Sequence, residues 1–507
     1  MHTRRSFLRA GAGVVAASAL GGSGLLDSAG YASSTDWSAL GRQLSGSLVL
    51  PSDPGYAQAK QLISAEFDTV RPQAIAYCTS TEDVRRAVLF ARENDVRTSV
   101  RSGGHSFNGW STTEGLIVDT SRLNQATVSG STVRFGPGLK GVDALPKLKP
   151  HGVTLPAGGC PTVSPGGFLL GGGLGWQTRK YGTASDRLVS AKVVLADGRV
   201  VRASSSQYSD LYWALRGGGG GNFGIVTEFE TTPTRVDKVI SYRLTWAWDK
   251  VADVVSAWQQ WAINGPDELA TTLIVVLPDA APGAVPIVQV VGAYLGPLAD
   301  ANAQLDTFVS AVGTAPATRA AEELPYDTAM MRAFGCGDKT TDQCHVVGQT
   351  PEAVLGRTPF VAHRYRTFTK AIPAGGINEI VTAFDANRRA GQNRSIVFVA
   401  WGGQANRVPV GDTAWVHRDA QFALGYSAQL NNANPSRDDT DAAVAWANHG
   451  FSVMDQYSSG HTYLNYGHDG LRDWQWAYYG RNYSRLVTVK RKYDPDNWFS
   501  FSQSVGK

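Results

Sequence analysis

Apolar residues recur along the chain with two periods, two and about 3.6. Short apolar or alternating runs at 74–78, 98–100, 116–119, 128–135, 188–195 and 200–203 predict strands. Between the first two, Val84, Val88 and Leu89 share one face of a helical repeat, which predicts a helix over 81–94. Ser80 is its expected cap, with Asp83 completing a capping-box-like pattern. Strand, helix and strand in succession bring the segment after residue 100 to the carboxyl end of a strand, where open α/β sheets bind ligands. Asp197-Gly198 is a hairpin signal, and 209–216 reads as a short helix running into the glycine run 217–221 and a strand at 225–229. After Thr232-Pro233 the pattern changes. Strand-like stretches at 242–248, 272–277, 287–294, 396–401 and 422–430 are separated by helical spacing at 251–261, 299–312 and 377–390. The expected fold is α+β, in two domains, the second built on an antiparallel sheet.

The turn after residue 100 reads Arg101-Ser102-Gly103-Gly104-His105-Ser106-Phe107-Asn108-Gly109-Trp110. Paired glycines let a backbone turn with its N–H groups directed at an anion, and phosphate is the expected one. Alone, such a turn with a surface histidine carries little functional weight. A second stretch adds to it: Pro156-Ala157-Gly158-Gly159-Cys160-Pro161-Thr162-Val163-Ser164-Pro165-Gly166-Gly167-Phe168, continuing through Gly171-Gly172-Gly173-Leu174-Gly175-Trp176. Glycines at this density let main chain lie close against a large flat ligand, with Cys160 among them.

Composition narrows the classes. A content of 43% hydrophobic and 18% charged residues is that of a globular protein, and 507 residues exceed one typical domain. The net charge of +4 comes without any long Lys/Arg block, which argues against a nucleic-acid partner. The 14 Trp and 18 Tyr serve core packing or stack on ring ligands, and composition does not choose between these. Of four cysteines, Cys336 and Cys344 bracket a polar loop and are expected to pair in an exported protein. His345 beside Cys344 does not complete a metal-ligand spacing, so no metal is expected. Cys78, in an apolar run, reads as an inert core residue.

At the start, Thr3-Arg4-Arg5-Ser6-Phe7-Leu8-Arg9 precedes a weakly apolar, glycine-rich stretch to Leu26. This reads as a twin-arginine export signal, cleaved near Ala29 or Ala32, and not as a membrane span. Since that route exports folded proteins, it implies a secreted protein loaded with its cofactor beforehand.

His105 and Cys160, 55 residues apart within their two motifs, resemble the flavin-binding segments of the berberine bridge enzyme-like oxidases of the vanillyl-alcohol oxidase (PCMH-type) superfamily. The closing run Tyr478-Tyr479-Gly480-Arg481-Asn482-Tyr483, with Lys490, Asp494-Pro495-Asp496-Asn497 and Phe499, resembles the same family's C-terminal motif. The resemblance implies a signal over 1–32, an FAD-binding domain over 33–232, a substrate domain over 233–458 and a return to the first domain over 459–507. It implies FAD attached through both His105 and Cys160. It further implies contacts from Arg101, Ser102, Gly103, Gly104, Ser106 and Gly109, from Gly159, Thr162, Gly166, Gly167, Gly172, Gly173 and Gly175, and from Gly224, Ile225, Val226, Asn465 and Asn497.

Thr462-Tyr463-Leu464-Asn465-Tyr466 resembles the family's Tyr-x-Asn segment, making Tyr463 the first candidate for the catalytic base and Tyr466 the second. An ordinary tyrosine titrates near 10, so such a base is expected to have a lowered pKa. The sequence departs from plant relatives in one place: after His417-Arg418, Gly425 stands where they carry an acidic or amide residue. The implied activity is oxidation of an alcohol or hemiacetal of a carbohydrate or glycosylated natural product, with dioxygen as acceptor, peroxide as product and a monomeric enzyme. A flavin dehydrogenase using another acceptor and a non-catalytic secreted binding protein are the alternatives.

Overall fold

Ser80 caps the first long helix, Thr81–Glu93, by accepting the Asp83 N–H at 3.0 Å in the computed structural model, which describes residues 35–507. The Asp83 carboxylate does not close the box. It accepts instead from the N–H groups of Ser45 (2.7 Å) and Thr79 (2.9 Å), fastening the chain before the helix. The predicted export signal lies outside the described residues.

Three sheets organise the rest. In the first, Ser47–Val49 pairs antiparallel with Ala74–Tyr77, followed by Leu116–Asp119 and Thr98–Arg101 in parallel. The strands 74–77 and 116–119 are largely buried, as parallel strands require, 98–101 is buried only at its two ends, and the glycine turn after Arg101 leaves the sheet at its carboxyl edge. The second sheet is antiparallel in the order Ala126–Ser129, Thr132–Phe135, Ile225–Thr231, Leu188–Val194, Val200–Ser204. What reads in sequence as one strand at 128–135 is thus a hairpin, reversed at Gly130, whose φ of 57° is left-handed.

The third sheet has seven antiparallel strands: Thr318–Pro325, Lys238–Trp246, Ile287–Tyr294, Leu269–Leu277, Gln392–Ala400, Phe422–Leu430 and Val361–Phe368. One face is covered by the helices Val251–Asn264, Leu298–Val312, Ala374–Asp385 and Arg437–Asp455. Trp258 packs there edge-on against Phe398 and Phe422, so this tryptophan serves the core. Alternation leaves the opposite face, including Thr272 and Val399, free to line the site.

Two of these strands and one of these helices lie outside the sequence prediction. Val361–Phe368 carries His363, Arg364 and Arg366, which break its apolar alternation. Thr318–Pro325 is an exposed edge strand with a single buried side chain. Arg437–Asp455 is polar, but its Ser436–Asp439 capping box is a legible signal.

The last segment returns to the first two sheets: Leu464, Tyr479, Leu486, Val489 and Val505 share a core with Phe135, Val193 and Phe223. Within the C-terminal motif, Tyr483–Tyr493 is a helix, and Lys490 from it is buried against Asp494 at 2.6 Å. Its ammonium also donates to the carbonyls of Asn222 (2.6 Å) and Phe499 (2.7 Å). A disulfide joins Cys336 and Cys344, and Cys78 is buried, with burial pushing its thiol well up. Among the described residues no helix is long and apolar enough to cross a membrane.

Candidate active site

A cavity of about 480 Å³ opens where the glycine-rich segments meet the free face of the seven-stranded sheet. Both chemistry-bearing motifs reach it. Ser102, Gly103, Gly104, His105 and Ser106 line it from the first, and Gly159, Cys160, Gly166, Gly167 and Gly175 from the second. Gly224, Ile225 and Val226 add a third side, together with Gly219, Gly220 and Gly221. Tyr463, Asn465 and Tyr466 close it from the C-terminal segment.

Six of the expected contacts do not lie on this wall. The Arg101 guanidinium turns away into the core, where it pairs with Asp119 and stacks near Tyr77, so it is a strut of the first sheet. Gly109 is pressed against the Phe67 ring, and Thr162 is buried behind His105. Gly172 and Gly173 back onto Trp415 and Phe168 respectively, while Asn497 forms a left-handed turn (φ 51°) bonded to Asp494. Each acts one layer behind the cavity.

His105 Nε2 is hydrogen-bonded to Thr162 Oγ1 at 2.8 Å. Burial, reinforced by the nearby Lys140 charge, lowers its pKa to about 4, so the ring is neutral, with Nδ1 free of partners among the described residues. Cys160 is open to the cavity but enclosed by protein on its other sides, and burial pushes its thiol up. Both are neutral nucleophiles at the same cavity.

Tyr463 is 2% exposed, and its hydroxyl oxygen accepts the Gly173 N–H at 2.8 Å and the Asn465 Nδ2–H at 2.7 Å. Asn465 Nδ2 also donates to the Phe168 carbonyl at 3.1 Å. Gly171 is glycine for this reason: a Cβ there would lie 2.1 Å from Asn465 Oδ1. The lowered tyrosine pKa expected from sequence is not found. Burial outweighs the two accepted hydrogen bonds and holds Tyr463 well above the ordinary value. Tyr466 meets Tyr463 edge-on at 5.0 Å and is pushed up to about 12, by burial first and the Cys160 thiol second.

One neighbour of this site has no sequence signal. Tyr365, on the unpredicted strand Val361–Phe368, lies 4.6 Å from the Tyr466 ring. In the strand register it faces Gly425, and a Cβ on Gly425 would come within 2.1 Å of Tyr365 Cε1. The departure at Gly425 therefore makes room for an aromatic ring. Arg418, four residues before the strand Phe422–Leu430, holds Asp186 of the short helix Ala184–Arg187 through two bonds of 2.6 and 2.9 Å.

Residues 72–204 match the FAD binding domain family model and residues 462–506 the model described as berberine and berberine like. The uncharacterized FAD-linked oxidoreductase YvdP of Bacillus subtilis is 30% identical over 475 residues, covering 91% of this chain and 98% of that protein. The chain is a berberine bridge enzyme-like FAD-linked oxidoreductase. Among solved structures, BBE-like 1 of Physcomitrella patens superposes on this oxidoreductase with a TM-score of 0.81 at 26% identity, covering 92% of this chain and 98% of that one. The glucooligosaccharide oxidase of Acremonium strictum, described with a 6-S-cysteinyl, 8α-N1-histidyl FAD, gives a TM-score of 0.79 at 25% identity, covering 91% and 97%.

The cavity of this oxidoreductase fits FAD. A Cβ at Gly159 or Gly167 would meet nothing within 4 Å, so the main chain there can lie flat against a ring system. The backbone N–H groups of Gly103, Gly104, His105 and Ser106 have no hydrogen-bond partner among the described residues, which suits a pyrophosphate. No Asp, Glu, Lys or Arg occurs among the described residues lining the cavity, so those N–H groups are the available anion donors.

Proposed function

We propose that this enzyme oxidises an alcohol or hemiacetal of a carbohydrate or glycosylated natural product with dioxygen as acceptor, releasing hydrogen peroxide. The reading is carried by one observation: His105, Cys160, Tyr463 and Tyr466 all line one cavity. We further propose that FAD is attached through both His105 and Cys160. Supporting this are the free Nδ1 of a neutral His105, the Cys160 thiol at the same cavity, and the doubly linked FAD named for the glucooligosaccharide oxidase.

FAD held against the glycine-rich segments would supply a two-electron acceptor for the hydride of the substrate carbon, reoxidised by dioxygen in this reading. The chain's part is to remove the hydroxyl proton and hold the carbon in place. Tyr463 is the proposed base: once ionised, its oxygen keeps the Gly173 and Asn465 donors and accepts the substrate O–H as its third hydrogen bond. The neutral phenol, with the same two donors in place, can only donate. Proton removal therefore draws on the ionised fraction.

Anaerobic mixing with an alcohol substrate is expected to bleach the flavin, and oxygen to restore it with one peroxide per turnover. Restoration requiring another acceptor, without peroxide, would make the enzyme a dehydrogenase. Acid-precipitated protein is expected to stay yellow. His105→Ala or Cys160→Ala alone should retain the colour through the remaining link, and the double variant should lose it to the supernatant. Release of all flavin from the unaltered protein would refute the attachment.

A further inference from the structure

The cavity has two unlike walls. On the cofactor side it is glycine and main chain; facing that, the seven-stranded sheet and the helix Tyr326–Ala333 contribute Ala270, Thr272, Met330, Ala333, Val399 and Trp401. Thr272 and Val399 are direct partners across the sheet, so alkyl and hydroxyl groups stand side by side at its centre. Polar capacity on this wall is small. The Thr271 hydroxyl is already engaged by Trp258 Nε1 at 3.0 Å, and Trp401 Nε1 is buried without a protein partner. That leaves the Thr272 hydroxyl as the one side-chain hydroxyl of this wall without a protein hydrogen bond among the described residues.

We propose that the substrate is an uncharged ring alcohol on a hydroxyl-poor, apolar skeleton, and neither an oligosaccharide nor an acid. The proposal rests on the alcohol-oxidase reading above and narrows it to its natural-product branch. A sugar presents a hydroxyl on nearly every ring carbon. Burying one of these against Ala270, Met330, Ala333 or Val399 removes it from water with no replacement, at a loss of roughly five- to a hundredfold in affinity for each. Two unmatched hydroxyls suffice to outweigh any stacking on Trp401. A carboxylate is excluded more strongly, since no cationic side chain among the described residues is present on the wall to pair with it. An apolar skeleton gains from the same surface, and the unbranched Met330 can adapt to its outline.

The test uses the flavin-loaded protein. Anaerobic reduction is measured with borneol, a bicyclic secondary alcohol, with cellobiose and with glucuronate. In parallel, the flavin absorbance is titrated with camphor and with cellobionolactone, the corresponding products. Borneol is expected to exceed cellobiose in kcat/KM by about twenty-five-fold or more, as two unmatched hydroxyls require, with glucuronate inert. Camphor should perturb the flavin spectrum and the lactone should not. Val399→Asp should leave flavin content unchanged and lower kcat/KM for borneol by more than about tenfold. Cellobiose equal to or better than borneol, a camphor titration without effect, or an indifferent Val399→Asp would each overturn the proposal. If no alcohol bleaches the flavin, the oxidase reading falls, and the camphor and lactone titrations still decide what the wall accepts.

Discussion

Thr162 holds Nε2 of His105 through its hydroxyl at 2.8 Å. Under the proposed attachment, Nδ1 would be the nitrogen that links to the flavin. Thr162→Val is therefore expected to reduce the histidyl link while sparing the cysteinyl one, read as the fraction of His105 peptide carrying flavin in mass spectra. For Tyr463 the sign of the pH dependence follows from its environment. Burial raises its pKa, so the phenol is protonated at neutral pH, and the ionised fraction grows roughly tenfold with each pH unit below that pKa. Flavin reduction by substrate should accordingly rise with pH between about 7 and 9, and the rise should vanish in Tyr463→Phe. Since a placed base contributes about a hundred- to ten-thousand-fold, a Tyr463→Phe rate within about threefold of the original would remove it from that role. Tyr466, at about 12, would then be the base.

Between elements, two contacts hold the site's shape. Gly425 leaves the space that the Tyr365 ring occupies, and Tyr365 in turn supports Tyr466. Gly425→Ala should displace that ring at a cost of about 1–3 kcal/mol, seen in denaturant unfolding, with slower flavin reduction. Lys490 is the other. Removing its ammonium by Lys490→Met would leave Asp494 buried without its cation, for a loss of about 3–5 kcal/mol and a lower flavin content. The elements that carry these contacts were unequally legible. The glycine motifs, His105, Cys160 and the Tyr-x-Asn segment stood out because each needs particular residue types at fixed spacing. Tyr365 did not, because its strand hides beneath the buried Arg366, whose guanidinium reaches Asp455 at 2.7 Å and looks like a surface charge in sequence. Nor could spacing separate residues on the cavity wall from those behind it, as Thr162 and Gly173 illustrate. That difference lies in side-chain direction.

For the molecule as a whole, we propose export through the twin-arginine route. The Cys336–Cys344 disulfide supports it, since such bonds persist outside the reducing cytosol. Replacing Arg4 and Arg5 together by Lys should hold the protein in the cytoplasm, measured by fractionating cells. Undiminished secretion of that variant would refute the route.

The buried Lys490 also has a bearing on how the protein is made. The carbonyl of Asn222, at the end of the glycine run, is bonded by Lys490, 268 residues later, and its side-chain oxygen by the Val505 N–H, 283 residues later. A ribosome adding about 5–20 residues per second needs roughly a quarter of a minute to a minute to cover that interval. Throughout it the glycine run lacks these two bonds. The newborn chain thus keeps its flavin berth unlatched until the last stretch is synthesised, and the latch closes only after translation has passed Val505.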